Sequence, residues 1–168
     1  MPNNKVLILL NQSELSQKIL PYVEKLITAK ENDLILFYLT NPPTGAGFGE
    51  PDLGAGYVPL PGDVSVKPTL HPIYATQQQD NIEAHVEAEL MPVTNRFKAA
   101  GYNVSTVVGF GKDPIKTILN VISKSKISLV AMSTRAQVGV TRFFFRNIAD
   151  ILAQKAGIPV LLIYPPGK

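Results

Sequence analysis

The sequence predicts a single α/β domain built on a parallel β-sheet with helices on both faces. Three observations predict it. Five short apolar runs are spread along the 168 residues, with stretches of helical periodicity between them. The runs are apolar almost throughout rather than alternating, as strands covered on both faces require. The helical stretches carry cap signals where a strand–helix–strand crossover needs them.

The first strand is Lys5 to Leu10, and the turn after it is Asn11-Gln12-Ser13-Glu14. Ser13 is the expected N-cap, with Glu14 favourable in the first turn. Leu15, Ile19, Val23 and Leu26 then share a helical face. Pro21 lies inside that pattern and predicts a kink or a later helix start. The second strand is Leu34 to Leu39, ended by Asn41-Pro42-Pro43. From about 42 to 74 the chain is crowded with Gly and Pro and poor in core residues, and is expected to be a surface insertion without regular structure. Tyr57, Val58, Leu60, Ile73 and Tyr74 are its apolar anchors. Helical pattern resumes near Ala75, with Ile82, Val86, Leu90, Val93 and Phe97 at three-to-four spacing, a bend expected at Pro92, and Gly101 as the stop. Tyr102 to Val108 is the third strand. Asp113-Pro114 opens the next helix as N-cap and first turn, and Ile115, Ile118, Leu119 and Ile122 form its apolar face. Ile127 to Met132 is the fourth strand. A loop over Ser133 to Thr141 leads to a helix through Ile148, Ile151 and Leu152, stopped by Gly157. Ile158 to Tyr164 is the fifth strand.

Composition narrows the function. There are no cysteines, which removes disulfides and thiolate metal sites and fits a reducing compartment. The apolar stretch near the start is too short for a secretory leader, and no segment approaches the roughly 18 apolar residues a membrane span needs, so a cytoplasmic location and no membrane partner are expected. The net charge is +3 with only 17% charged residues. The basic residues are scattered rather than laid in a stripe with aromatics, so no nucleic-acid partner is expected. His71 and His85 stand apart with no metal-type spacing of carboxylates. No Gly-x-Ser-x-Gly elbow or paired-carboxylate constellation points to catalysis. Glu83, Glu87 and Glu89 read as a wet helix face, and Phe143-Phe144-Phe145 as core or interface packing.

Several segments together resemble the universal stress protein family over nearly the whole chain. They are Val6 to Glu14; Leu36 to Pro43; Gly111-Lys112-Asp113-Pro114-Ile115; Leu129-Val130-Ala131-Met132-Ser133-Thr134-Arg135; Arg142 to Ala149; and Ile158 to Ile163. The resemblance implies an adenine nucleotide alpha hydrolase-like fold, an open five-stranded sheet in the order 3-2-1-4-5. It also implies a homodimer, often formed through the last strand.

Family members that bind ATP carry Gly-x-x-Gly, a spacer, and then Gly followed by Ser or Thr. Bare backbone lets the loop after the fourth strand wrap phosphates with its N–H groups at a helix N-terminus. Carried onto this sequence, those four positions fall on Ser133, Ala136, Arg146 and Asn147, and all four differ. The acidic residue that ends the family's first strand falls on Asn11, and the adenine-contacting strand exit on Leu39. Thr134 and Arg135 complete the candidate nucleotide site. Arg146 either obstructs a triphosphate or reaches an anion with its guanidinium. The expectation is a non-enzymatic stress-response protein that is dimeric, binds a partner or a small anionic ligand and requires no cofactor. The alternative is an ATP or AMP switch of weak affinity at the modified loop.

Overall fold

The computed structural model describes residues 3–11, 13–43, 72–134 and 142–165. Five parallel strands form one sheet in the order β3-β2-β1-β4-β5. They are β1 (Asn4–Leu10), β2 (Asn32–Thr40), β3 (Asn103–Phe110), β4 (Leu129–Ser133) and β5 (Val160–Ile163). The helices are α1 (Glu14–Gln17), α2 (Leu20–Leu26), α3 (Pro72–Ala99), α4 (Pro114–Ser125) and α5 (Arg142–Lys155). The class, the strand order and the placing of helices on both faces are those expected.

β1 lies at the centre and feeds two cores by alternation. Val6, Ile8 and Leu10 face one side, where they join Leu34, Leu36 and Tyr38 of β2 and the apolar residues of α2 and α3. Leu7 faces the other side, with Ile35, Phe37, Val130 and Met132, under Ile118 and Ile122 of α4 and Ala149 and Leu152 of α5. Burying each such Leu, Ile, Val or Phe contributes about 1.5–3 kcal/mol. A single substitution by a polar residue on β1 would open one core and leave the other intact.

Local chemistry accounts for the helix ends. At α4, Asp113 caps with its carboxylate accepting from the Lys116 backbone N–H at 3.1 Å, and Pro114 fills the first turn. At the end of α3, Gly101 has φ +90°, and the backbone N–H of Tyr102 returns to the Phe97 carbonyl at 3.0 Å. That left-handed turn is the role for which glycine has no side-chain penalty. Gly109 serves a different purpose. A Cβ there would stand 2.3 Å from the Phe37 ring, so its absence lets Phe37 lie flat against β3.

Some boundaries depart from expectation. The helix expected after Ser13 is two short helices, with Pro21 in the first turn of α2, where its missing N–H costs nothing. Ile19 and Val23 are buried as expected, but Leu26, at the end of α2, is 59% exposed, and Leu20 is buried as well. Ser13 stands at the N-cap position of α1 but makes no side-chain cap bond. Its hydroxyl goes to Asn11 instead. α3 begins at Pro72, a turn before Ala75, so the last residues assigned to the Gly/Pro-rich insertion are already helical. The rest of that insertion, 44–71, lies outside the described residues. β4 and β5 start two residues later than expected, and β3 runs on to Phe110.

Tyr102 ties the two helices of one face to the sheet. Its hydroxyl donates to the Ile27 carbonyl at 2.6 Å, and its ring meets Phe97 edge-on with centroids 5.4 Å apart. Burial, with a smaller contribution from the Glu24 carboxylate, raises its pKa above the ordinary 10.0. A raised phenol pKa means that the folded state favours the protonated form. Its stabilisation is full below about pH 10 and is lost as pH climbs through the folded value. Wild-type stability is therefore expected to fall more steeply than that of Tyr102→Phe above pH 10 in urea titrations. At neutral pH the variant should lose about 1 kcal/mol with the hydrogen bond.

Lys126 closes α4 in a left-handed conformation at φ 53°. Its N–H and that of Ile127 both return to the Ile122 carbonyl. Lys126→Gly removes the Cβ strain of that conformation and adds unfolded-state entropy, for an expected net gain of about 0.5 kcal/mol. The measurement is the urea midpoint at unchanged slope.

Candidate functional site

Parallel strands bring all their C-terminal ends to one edge of the sheet. The connections from β1 and β4 leave towards opposite faces there, which makes the crevice where open α/β sheets take ligands. The register pairs Leu10 with Tyr38 and Ile8 with Ala131. Continuing it puts Asn11 level with Leu39 of β2 and with Thr134, just past β4. The structure thus brings Asn11, Leu39, Ser133 and Thr134 to one edge, as the sequence placed them. Arg135 and Ala136 lie outside the described residues. Arg146 and Asn147 lie in the first half of α5. Their side chains, with those of Arg142 and Phe143 to Phe145, are outside the description.

The polar groups at this edge are bonded mainly to one another. Asn11 folds back in an Asx-turn, its side-chain carbonyl accepting from the Ser13 backbone N–H at 2.8 Å and from the Ser13 hydroxyl at 2.6 Å. Ser16 is buried beneath the turn, and its oxygen accepts from the Asn11 N–H at 3.1 Å. The one hydroxyl proton of Ser16 lies within reach of the Asn11 carbonyl at 3.0 Å and the Ser13 carbonyl at 2.9 Å. Ser133 shares the strand face of Ala131 and points towards α1, where its hydroxyl donates to the Leu15 carbonyl at 2.5 Å. The same carbonyl accepts the Lys18 backbone N–H at 3.1 Å, so Ser133 adds a second bond to it from the far side of the crevice.

Thr134 behaves differently. Its backbone N–H continues the ladder to Ile163 at 3.0 Å, yet its hydroxyl, on a residue 1% exposed, has no hydrogen-bond partner among the described residues. A buried hydroxyl without a partner costs about 1–3 kcal/mol. Leu39 is half-buried against the α4/α5 core and offers the edge an apolar contact. Among the described residues, no group of three or more His, Cys, Asp or Glu could hold a metal ion, and no helix is long and apolar enough to cross a membrane.

The family model for universal stress proteins matches residues 2–163. The chain belongs to the universal stress protein family. The solved structures it resembles agree with that in fold. The hypothetical protein MJ0577 superposes with a TM-score of 0.68 at 13% identity, each chain covered in full. A universal stress protein solved in complex with cAMP gives 0.56 at 15% identity, covering 99% of this chain and 100% of the other. The universal stress protein UspA from Lactobacillus plantarum gives 0.59 at 16% identity, covering 97% and 99%. At these identities the likeness is one of fold, the nucleotide alpha hydrolase-like fold that the sequence led us to expect. No curated protein matches the chain.

Within this universal stress protein the described part of the edge departs from the family's phosphate cradle in a specific way. Where the motif has bare backbone, Ser133 carries a hydroxyl that holds α1. Where it has an acid, Asn11 carries an amide whose carbonyl is spent on Ser13. Ser133 has no second hydroxyl proton to donate to a phosphate, and the Asn11 carbonyl already accepts two bonds. Sequence reasoning missed Ser16, the buried member of the cluster. The Asn-x-Ser spacing at Asn11 and Ser13 was a readable Asx-turn signal, and a serine one turn further on would have completed it. Ser16→Ala leaves the Asn11 N–H without its partner. It is expected to lower stability by about 2 kcal/mol, measured by urea unfolding. Ser16→Thr is expected to lose less, because it keeps the hydroxyl.

Proposed function

We propose that this universal stress protein is non-enzymatic and acts by binding a partner or a small ligand, with no obligatory nucleotide. The observation that carries the proposal is the Ser133 hydroxyl bonded across the crevice to the Leu15 carbonyl at 2.5 Å. A side chain that fastens the crevice shut takes the place of the bare backbone a triphosphate would touch. The replacement of the next motif positions by Ala136, Arg146 and Asn147 in the sequence supports the same reading.

The proposal includes a homodimer formed through β5. That strand is the sheet edge, and its four residues, Val160–Ile163, are all apolar yet only half-buried, with Tyr164 52% exposed beside them. An apolar edge strand of this kind is covered by pairing or aggregates. A cytoplasmic setting belongs to the same proposal, supported by the lack of cysteine.

One observation favours the alternative, a switch that binds ATP or AMP weakly. The buried hydroxyl of Thr134, at the head of the loop that the motif occupies, lacks a partner among the described residues. The universal stress protein solved in complex with cAMP supports the same alternative.

Purified protein, heat-denatured and chromatographed, is expected to release no stoichiometric adenine nucleotide. Millimolar Mg-ATP, AMP or cAMP is expected to leave the thermal midpoint unchanged, whereas a ligand at 100 times its Kd would add about 2.7 kcal/mol. A stoichiometric adenine peak would overturn the proposal in favour of the switch. Arg146→Gly is expected to raise nucleotide affinity if the guanidinium obstructs the loop, and to lower it if the guanidinium is the phosphate ligand.

A further inference from the structure

The opposite edge of the sheet has a distinct charge pattern. Because the strands are parallel, every long helix ends at the edge where the strands begin. Helix C-termini favour cations, and the chain supplies them. Lys25 lies in the last turn of α2 and Lys30 follows it, and Arg96 and Lys98 lie in the last turn of α3. Lys124 and Lys126 end α4, and Lys155 ends α5. Against them at this edge stand Glu24, Glu31 and Asp33. Glu24 is paired with Arg96 at 2.5 Å, and Asp33 accepts from the Asn3 amide at 2.9 Å. Seven of the sixteen basic residues, spread along the sequence, are gathered at this pole by the topology.

The pole also has a groove of about 630 Å³ between the α2–β2 connection and the end of α3. Ile27, Ala29, Ala100 and Tyr102 are among the residues that line it. The Tyr102 hydroxyl is bonded to the Ile27 carbonyl and the Thr28 carbonyl to the Asn32 amide, so these polar groups are already satisfied. What remains for a ligand is mostly apolar surface. Lys25 and Lys30 stand on the rim, both exposed, and neither forms an ion pair among the described residues.

We infer that this groove is a docking site for an acidic peptide segment of a partner protein, one that places an apolar side chain on the floor and carboxylates against Lys25 and Lys30. Charge complementarity at the rim and an apolar floor favour this occupant over a bare polyanion, which would leave the floor unused. The remaining cations of the pole steer the segment in, within the roughly 8 Å reach that physiological salt allows. The site lies at the far end of the sheet from Ser133, so the outcome of the nucleotide experiments does not bear on it.

The probe is a fluorescein-labelled peptide, Glu-Glu-Leu-Leu-Glu-Glu, titrated into the full chain by anisotropy and mapped by amide chemical shifts. Shifts are expected over residues 25–30 and 96–102, with affinity falling as salt rises. Lys25→Glu with Lys30→Glu is expected to weaken binding at least about tenfold. Lys112→Glu with Lys116→Glu, at the other end of the sheet, should leave it unchanged. An all-Glu peptide of equal length should bind several-fold more weakly, because it gives the floor nothing to hold. All four positions are exposed, and circular dichroism confirms that each variant is folded before titration. The inference is overturned by an absence of binding, by equal losses in both double variants, or by shifts confined to the Ser133 edge. Tighter binding of a single-stranded oligonucleotide or an anionic phospholipid vesicle to the same residues would overturn it as well, by assigning the pole to another class of partner.

Discussion

β1 is buried on both sides and paired on both edges, and the rest of the molecule is arranged around that constraint. A central parallel strand cannot present a polar face, so Val6, Ile8 and Leu10 must be roofed by α2 and α3 while Leu7 is roofed from the other side by α4 and α5. Two roofs require crossovers of opposite direction, one towards β2 and one towards β4. Their divergence opens the crevice at the end of β1. The same parallel order sends every strand end to one edge and every long helix end to the other. The ligand edge and the basic pole are therefore consequences of one topological choice.

Much of this was legible because the signals were local. Asp113-Pro114 names a helix start through the geometry of two adjacent residues, and Gly101 names a stop through its own φ. What escaped was whatever depended on a helix changing direction. Ile19 and Val23 are buried on either side of the restart at Leu20, as their spacing implies, but the chain leaves the helix after Leu26, which is exposed while the extended Ile27 is buried. The left-handed Lys126 was not legible either. It sits where glycine is the usual signal, and only the paired return of its own N–H and that of Ile127 to Ile122 gives it away.

The candidate site shows the same division. Family resemblance found the positions at Asn11, Leu39, Ser133 and Thr134, and the register places them together at the edge. What their side chains do could not be read from position. The bond from Ser133 to Leu15 spans 118 residues of chain, and it adds to the one that the same carbonyl accepts from the Lys18 N–H. Asn11 stands at the position of the family's acidic residue, but the Asx-turn uses its carbonyl first, because Ser13 is covalently near and always present.

The two edges resolve the same physical problem in opposite ways. At the strand C-termini, where a nucleotide-binding relative needs accessible backbone N–H groups, serine and asparagine turn the available oxygens inward. The crevice becomes a tie between β1, α1 and β4. At the strand N-termini the groove's polar groups are also satisfied internally, but the lysines on its rim are not. Lys25 and Lys30 stand exposed beside that apolar groove, with no ion pair among the described residues. Since fold does not fix function, the place to look for what distinguishes this universal stress protein is where charge and apolar surface remain unpaired, beside Lys25 and Lys30.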